Sequence, residues 1–477
     1  MRKLIIPLLL GVCCYTDLNA QSLIFPNAIR YPLTTEMPNS VVYPEEKKSL
    51  DGYIRGSAWG GSEKFDYANL FSEASIKGEY VKGFTEGYGF FKGEVRVRNG
   101  EFYDENKTEL EIREMYVGYK NNTVEVTLGN QNVQWGRGIG SNPTNNISPK
   151  NGFILTSNGD DQKMYNLMLR TKVNITPNLE WEVIGIPIYK MNASRVDLLN
   201  IPVGAGTDVL PDKSFKNGSF ATKLNLNGGP NGASISYFNG YDVTPGVNTG
   251  LDASLQPVAF AQPFKKQAFG GDFMFRLAGK SNGKSSDATN DLLISGEIAY
   301  SKISNPNNDA YIPQSNLEFS LGLIKQFWDD KKLDNFTMIL GYSAKYTPDF
   351  IEAVAPTDVT SPTYGLDMAN FIQRGIAQGM FGQYKNYVQS LVGIFTKTMM
   401  NNKLNLTLIS SYGLTAQDYK TNGSSHSYLL SPRVSWNITK ELSASGGAFY
   451  LRGAGTEVVA PTFNGVFCDL KYNIKLK

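Results

Sequence analysis

The last stretch of the chain decides the fold, and it reads Val466-Phe467-Cys468-Asp469-Leu470-Lys471-Tyr472-Asn473-Ile474-Lys475-Leu476-Lys477. From Val466 onward every second side chain is apolar, and most of the side chains between them are polar or charged. Successive side chains of a β-strand point to opposite faces, whereas an amphipathic helix groups its apolar residues at three- and four-residue spacings. The stretch therefore predicts a β-strand with one apolar and one polar face.

The same alternation recurs along most of the chain. We count about 18 such segments, each near the ~10 residues that a tilted strand needs to cross a bilayer. The alternation slips near Arg113-Glu114, which predicts a β-bulge, and both faces are apolar between Val388 and Phe395. The predicted strands lie near residues 50–60, 70–80, 87–98, 108–119, 122–131, 163–173, 178–189, 216–226, 231–241, 265–278, 290–303, 316–327, 333–346, 383–398, 402–413, 425–438, 440–452 and 464–476.

The connections between these segments alternate in length. Short polar connections such as 120–122 and 174–178 follow the even-numbered segments, and long ones such as 132–162 and 347–382 follow the odd-numbered segments. Long loops at one end and short turns at the other are typical of outer-membrane barrels. The sequence therefore predicts an all-β fold, a transmembrane antiparallel up-and-down β-barrel of about 18 strands, with about 14 to 18 as the range. A soluble all-β protein, such as a pair of extracellular sandwiches, is the alternative.

The first residues have the pattern of an export signal. Arg2 and Lys3 precede an apolar run that ends at Cys14 and is too short to span a bilayer. We predict a signal peptide over residues 1–20, cleaved after Ala20, with an uncleaved anchor as the alternative. Residues 21–49 are rich in proline and lack clean alternation. They are predicted to form an N-terminal extension or small plug at or inside the lumen, and residues 50–477 to form the barrel.

Composition excludes several classes of protein. Lys and Arg total 46 and Asp and Glu total 44, so the chain has no basic surplus for a nucleic-acid partner. One histidine, His426, and three cysteines do not make a zinc cluster or a disulfide framework. Cleavage of the signal peptide would leave Cys468 alone. Because His426 lies in a polar stretch with no catalytic pattern around it, we expect no enzymatic activity, no cofactor and no bound metal.

One local motif is distinctive. It runs from Leu128-Gly129-Asn130-Gln131 through Trp135-Gly136-Arg137 to Asn142-Pro143 and Ser148-Pro149. This motif resembles that of porin-like and export-type Gram-negative outer-membrane β-barrels, a largely uncharacterised family. The resemblance covers about 40 residues and implies an outer-membrane location. Gly138 to Gly140 depart from the pattern, because relatives often carry an acidic residue there.

Trp135, Gly136 and Arg137 are the predicted loop constriction. The sharp turn at Gly136 would project a flat ring and a cation, and a loop that folds inward with them would narrow the pore. The alternative is a turn that caps the barrel wall and places Trp135 at the membrane interface.

Charged residues fall on the face opposite the apolar side chains, which predicts that they line the pore. They would set a transverse field for polar solutes, or form an internal salt-bridge lattice that only stiffens the wall. The predicted pore-lining residues are Glu94, Arg96, Arg98, Glu125, Arg170, Glu182, Lys223, Asp272, Arg276, Glu297 and Arg433.

The expected function is passive passage of small polar solutes through a charged lumen narrowed by inward loops. Two alternatives are a substrate-specific transporter of hydrophobic or amphipathic molecules with an N-terminal plug, and a non-conducting barrel that partners a secretion or surface-assembly system. The expected partners are outer-membrane lipid and a small solute, while a homo-oligomer or an envelope partner protein stays open. Apolar residues at helical spacing within residues 364–384 indicate a short helix in a loop at the barrel mouth, or a surface loop with a packed apolar face.

Overall fold

The computed structural model describes residues 46–475 except 63–67, 103–104, 153, 155, 194–203, 229–230, 255, 278–291, 305–308, 330–333, 416–425 and 453–462. The predicted signal peptide and most of the predicted N-terminal plug therefore lie outside the described residues.

Eighteen strands of the described chain form one closed antiparallel barrel. Each strand pairs with its neighbours along the chain, and the last strand pairs with the first from Asp51 opposite Lys475 to Ser62 opposite Asn464. The barrel strands are β1 (Glu46–Ser62), β2 (Ala68–Phe84), β3 (Gly87–Phe102), β4 (Glu105–Lys120), β5 (Val124–Gln131), β6 (Asn166–Thr176), β7 (Leu179–Ile186), β9 (Ser219–Gly228), β10 (Asn231–Tyr241), β13 (Lys265–Leu277), β14 (Leu292–Ile303), β15 (Asn316–Asp329), β16 (Asp334–Tyr346), β17 (Tyr387–Met399), β18 (Leu404–Gly413), β19 (Tyr428–Asn437), β20 (Leu442–Arg452) and β21 (Phe463–Lys475). β8 (Gly204–Ala205), β11 (Gly246–Leu251) and β12 (Pro257–Gln262) form a separate three-stranded sheet.

The two-residue period assigns each strand an outer and an inner face. On β21, Leu470 is 53% exposed, whereas its neighbour Asp469 is 8% exposed. The outer faces of the other strands are likewise apolar and exposed, as at Leu110 and Val117 on β4. A bilayer solvates apolar side chains but offers no hydrogen-bond partner to a free backbone group. The apolar outer face and the closed sheet, which leaves no free strand edge, are therefore both what a membrane requires. The predicted transmembrane barrel of about 18 strands is confirmed.

The predicted bulge near Arg113-Glu114 is also confirmed. The β3–β4 register shifts between Gly93 and Val95, which lie opposite Met115 and Ile112. The Asn130 side chain on β5 donates hydrogen bonds to the carbonyls of Ile112 at 2.9 Å and Arg113 at 2.8 Å. An amide side chain thus satisfies the backbone groups that the bulge leaves out of the ladder.

The helix predicted within residues 364–384 is present as α1 (Tyr364–Phe381) in the connection from β16 to β17. Ile376 and Met380 of α1 pack against Val247 of β11 and Ala259 of β12. The small sheet lies in the connections from β7 to β9 and from β10 to β13, where the sequence predicts no strand. No helix in the described part of the chain is long and apolar enough to cross a membrane.

Candidate functional site

The connection from β5 to β6 lies inside the barrel. We call residues 132–165 the inner loop; 153 and 155 of it lie outside the described residues. Arg137 forms an ion pair with Asp272 on β13, and the backbone N–H of Ser157 donates to Asp469 on β21 at 3.1 Å. These strands belong to distant parts of the wall. A single loop that contacts the inner faces of both must cross the lumen.

Trp135 anchors the start of the inner loop. Its side chain is 3% exposed and lies in an apolar cluster that includes Met168 of β6 and Ile184 of β7. Its indole N–H donates to Glu182 at 3.2 Å, and Glu182 also accepts from Arg170 at 2.6 Å. The structure therefore has Trp135 inside the barrel, and the alternative placement at the membrane interface is wrong.

A second anchor forms around Glu297 of β14. Its carboxylate accepts hydrogen bonds from the backbone N–H groups of Arg137 at 3.0 Å, Gly138 at 2.7 Å and Thr144 at 2.7 Å. Successive backbone N–H groups in such a turn form a concave anion site. The turn requires glycine at position 136, because φ is +93° there and an added Cβ would overlap Asn142 and Glu297.

Ile139 fixes the inner loop to the far wall. The side chain is 2% exposed and packs with Ile339 on β16 and Ile394 on β17. Gly322 and Gly341 leave the room for it, because a Cβ at either position would lie within 3 Å of Ile139. The apolar inner face that the sequence shows on β17 is therefore the surface that receives Ile139.

Asp161 anchors the end of the inner loop. A 3₁₀ turn, Gly159–Gln162, is capped by the Asn158 side chain and delivers Asp161 to the wall. The Asp161 carboxylate pairs with three wall arginines, Arg55 of β1 and Arg96 and Arg98 of β3, the last two at 2.8 Å and 3.3 Å. All four side chains are almost completely buried.

The charges around Asp161 are balanced by further carboxylates. Glu73 of β2 accepts from Arg98 at 2.9 Å, and Glu111 of β4 pairs with Arg96. Burial disfavours the charged form of Asp161, but the guanidinium groups of Arg55, Arg98 and Arg96 outweigh it and lower the pKa of this loop carboxyl to about 2. Asp161 is therefore ionised at neutral pH.

The predicted pore-lining residues separate into three groups. Five of them contact the inner loop directly, namely Arg96, Arg98, Glu182, Asp272 and Glu297. Pairs on the wall involve Glu94 with Arg113, Glu125 with Lys120, Arg170 with Glu182 and Lys223 with Asp272. Arg276 and Arg433 are half-buried and lie on β13 and β19.

Sequence reasoning missed several members of the site, including Glu111 and Ile139. Arg55, Glu73 and Asp469 stand at inner positions of β1, β2 and β21, where the two-residue period places them on the polar face. That period was the signal that could have found them. Asp161 offers no such signal, because it belongs to a loop and meets Arg96 across 65 residues of chain.

The described residues include no group of three or more His, Cys, Asp or Glu side chains arranged to hold a metal ion. His426 stacks on Tyr412 with ring centroids 5.4 Å apart, and its Nδ1 lies 3.0 Å from the Gly413 carbonyl. The site is thus a set of ion pairs and backbone donors between a loop and a wall.

Comparison of the fold identifies a class of similar proteins. Pseudomonas aeruginosa OccK3 (OpdO) matches with a TM-score of 0.54 and 10% identity, over 90% of this chain and 96% of that chain. P. aeruginosa OpdK solved with vanillate matches with a TM-score of 0.54 and 8% identity, over 90% and 98%. Acinetobacter baumannii OccAB4 matches with a TM-score of 0.52 and 10% identity, over 91% and 99%. No protein-family model and no curated protein sequence matches the chain.

The chain is therefore a porin-like barrel with the 18-stranded fold of Gram-negative outer-membrane porins. Within that class it resembles the Occ and Opd structures across nearly the whole described barrel, at identities that establish the fold alone. The resemblance drawn from Trp135-Gly136-Arg137 and its surroundings is confirmed at this level.

Proposed function

We propose that this protein is an outer-membrane channel through which small polar solutes diffuse, and that the inner loop forms the constriction. The observation that carries the proposal is the inner loop itself, which reaches walls on opposite sides of the lumen through Arg137, Ser157 and Asp161. A barrel of this size leaves an aqueous channel unless something fills it. The structural neighbours, which are outer-membrane porins, support the same class of function.

The charges along the inner loop support selection of polar solutes. The wall near Asp161 carries Arg55, Arg96 and Arg98, whereas the wall near Arg137 carries Asp272 and Glu297. Glu73 and Glu111 balance part of the positive charge near Asp161, and Lys223 balances part of the negative charge at Asp272, so the field that orients dipolar solutes is local to each ion pair. Most of these groups are paired, so the same network also stiffens the wall. One set of residues would therefore both act on solutes and form a salt-bridge lattice.

The proposal is tested by single-channel recording of the purified chain in planar bilayers. We expect discrete ohmic current steps. Asp161→Asn removes the charge that holds the end of the inner loop and should increase the step size or its fluctuations. Asp160→Asn is the matched control, because the Asp160 side chain is 54% exposed and forms its ion pair with Lys163, a neighbour in the same loop. It should leave the current unchanged.

A tether separates movement of the inner loop from general damage. The Oγ atoms of Ser157 and Ser445 lie 2.7 Å apart, so Ser157→Cys with Ser445→Cys can form a disulfide in a Cys468→Ala background. Oxidation should return the Asp161→Asn channel to the reference current, and reduction should release it. Absence of current from the reference chain and from the released variant alike would contradict the channel and favour a non-conducting assembly role.

A further inference from the structure

Three aromatic side chains, which we call the aromatic patch, lie on the inner face of β3 and β4. Tyr88 and Phe90 share the two-residue phase of the inner residue Arg96, and Tyr116 lies opposite Lys92 on the same face. The ring centroids of Tyr88 and Phe90 lie 5.9 Å apart, and those of Phe90 and Tyr116 lie 6.2 Å apart. The three side chains are half-buried, so the aromatic patch is partly open to the lumen.

Each ring of the aromatic patch has a glycine as one of its cross-strand partners, so no neighbouring side chain covers it from that side. The partners of Tyr88, Phe90 and Tyr116 are Gly83, Gly118 and Gly129 in that order. A Cβ at Gly118 would lie 2.4 Å from the Phe90 ring, so this ring leans over the backbone of β4. The interior of an outer-membrane barrel is normally polar. Rings that glycines leave uncovered on the inner wall therefore offer an unusual apolar surface to a solute.

The charged side chains that border the aromatic patch form three ion pairs. The pairs are Lys92 with Glu79 at 3.7 Å, Lys77 with Glu114 at 3.4 Å and Lys120 with Glu125 at 2.7 Å. All six side chains are partly exposed, so they can also bond to a solute. Because each ammonium group is matched by a carboxylate, these pairs offer both hydrogen-bond donors and acceptors without a net charge. They therefore suit a neutral solute with hydroxyl groups better than an ion.

We propose that the aromatic patch binds a neutral sugar. Where the hydroxyl groups of a pyranose ring are equatorial, as in β-linked glucose, its two faces present C–H groups that can pack on an aromatic ring. The hydroxyl groups then point outward from the edge of the sugar, toward the ammonium and carboxylate groups of the three ion pairs. Binding sites for small molecules combine aromatic surface with a few placed polar groups in this way. A sugar is a small polar solute, so this site rests on the proposed channel function.

Saturation-transfer NMR on the full chain, in a detergent without a sugar headgroup, tests the site without requiring a current. Cellobiose is the probe, because both of its rings have the equatorial hydroxyl groups of β-linked glucose. Sorbitol, which carries hydroxyl groups but has no pyranose ring, is the control. We expect saturation to pass from the protein to the ring C–H protons of cellobiose in a saturable manner, and we expect no transfer to sorbitol.

Variants of Phe90 separate the flat ring from its apolar volume. Phe90→Leu keeps an apolar side chain without the ring, so it should weaken cellobiose binding at least about threefold. Phe90→Tyr keeps the ring and should bind cellobiose as the reference chain does. Phe91→Leu is the matched control, because Phe91 is the next residue of β3, lies on the outer face and is 39% exposed. It should leave the affinity unchanged.

The outcomes separate the site from the channel. Equal cellobiose affinity of the reference chain and Phe90→Leu, or no transfer to cellobiose, would overturn the site even where the reference chain conducts. Transfer to benzyl alcohol but not to cellobiose would overturn it in favour of an aromatic solute. Cellobiose binding by a chain that gives no current in planar bilayers would keep the site and overturn the channel.

Discussion

At the residue scale, Gly136 occupies a position where no side chain fits. Its φ of +93° lies in the left-handed region, and its neighbours Asn142 and Glu297 occupy the space of a Cβ. Both constraints act at the turn from which three backbone N–H groups reach Glu297. The glycine is therefore a condition for the anchor at Glu297.

We expect Gly136→Ala to destabilise the protein by roughly 1–3 kcal/mol, because the backbone must leave its native conformation or accept strain. The measurement is the midpoint of thermal unfolding in detergent. Gly185→Ala on β7 is the control, since nothing lies within 4 Å of a Cβ added there. If the two variants unfold at the same temperature, Gly136 does not have the assigned role.

Asp161 makes a prediction about pH. Its pKa is lowered to about 2 because the arginine charges outweigh the effect of burial. A carboxyl with a depressed folded pKa contributes stability above its unfolded value of about 3.9, and that contribution is lost as the pH falls through the folded value.

Asp161→Asn should therefore cost about 3–5 kcal/mol at neutral pH, because it leaves buried arginines without their counter-charge. The difference from the reference chain should be constant from pH 7 to about 4.5 and shrink toward pH 2. Unfolding midpoints at pH 7, 4.5 and 2.5 measure it. A difference that already disappears at pH 4.5 would show that the arginines do not control this carboxyl.

At the element scale, the bulge in β4 depends on a side chain of β5. Asn130 lies on the outer face of β5 and donates to the Ile112 and Arg113 carbonyls. Lipid offers no substitute donor there. We expect Asn130→Ala to cost about 1–3 kcal/mol in urea unfolding from lipid vesicles. Asn174→Ala removes a similar 2.8 Å hydrogen bond to Asn122, at a turn where water can replace it. The control should therefore cost less, and an equal cost would contradict this explanation.

The period of two was sufficient to predict the strands, because every strand has one face toward lipid and one toward the interior. It placed Leu470 outside and Arg96 and Glu297 inside from sequence alone. It could not place the inner loop, since Trp135 and Asp161 have no periodic context and meet residues distant in the chain. The strands β11 and β12 were missed because they are only six residues long and lie within a long connection. They pack against α1, a contact that the local sequence pattern does not show.

At the scale of the whole molecule, the apolar outer surface of the barrel requires a lipid environment. Leu321 is 49% exposed on the outer face of β15, and Gln326 lies on the inner face of the same strand. Leu321→Arg should destabilise the barrel in vesicles by about 2–4 kcal/mol, because it places a charge in the hydrocarbon layer. Gln326→Arg should change stability little, since it faces the lumen. Urea unfolding of the two variants makes the comparison, and equal destabilisation would contradict a lipid-facing β15.

The inner loop also bears on how the cylinder is completed. Asp161 binds Arg55 on the first strand, and four residues earlier Ser157 binds Asp469 on the last strand. Residues 157–161 therefore contact both of the strands whose pairing closes the barrel. These loop residues lie about a third of the way along the sequence, so their contact with Asp469 can form only after the last strand is in place. We therefore expect closure of the barrel and docking of the inner loop to occur together.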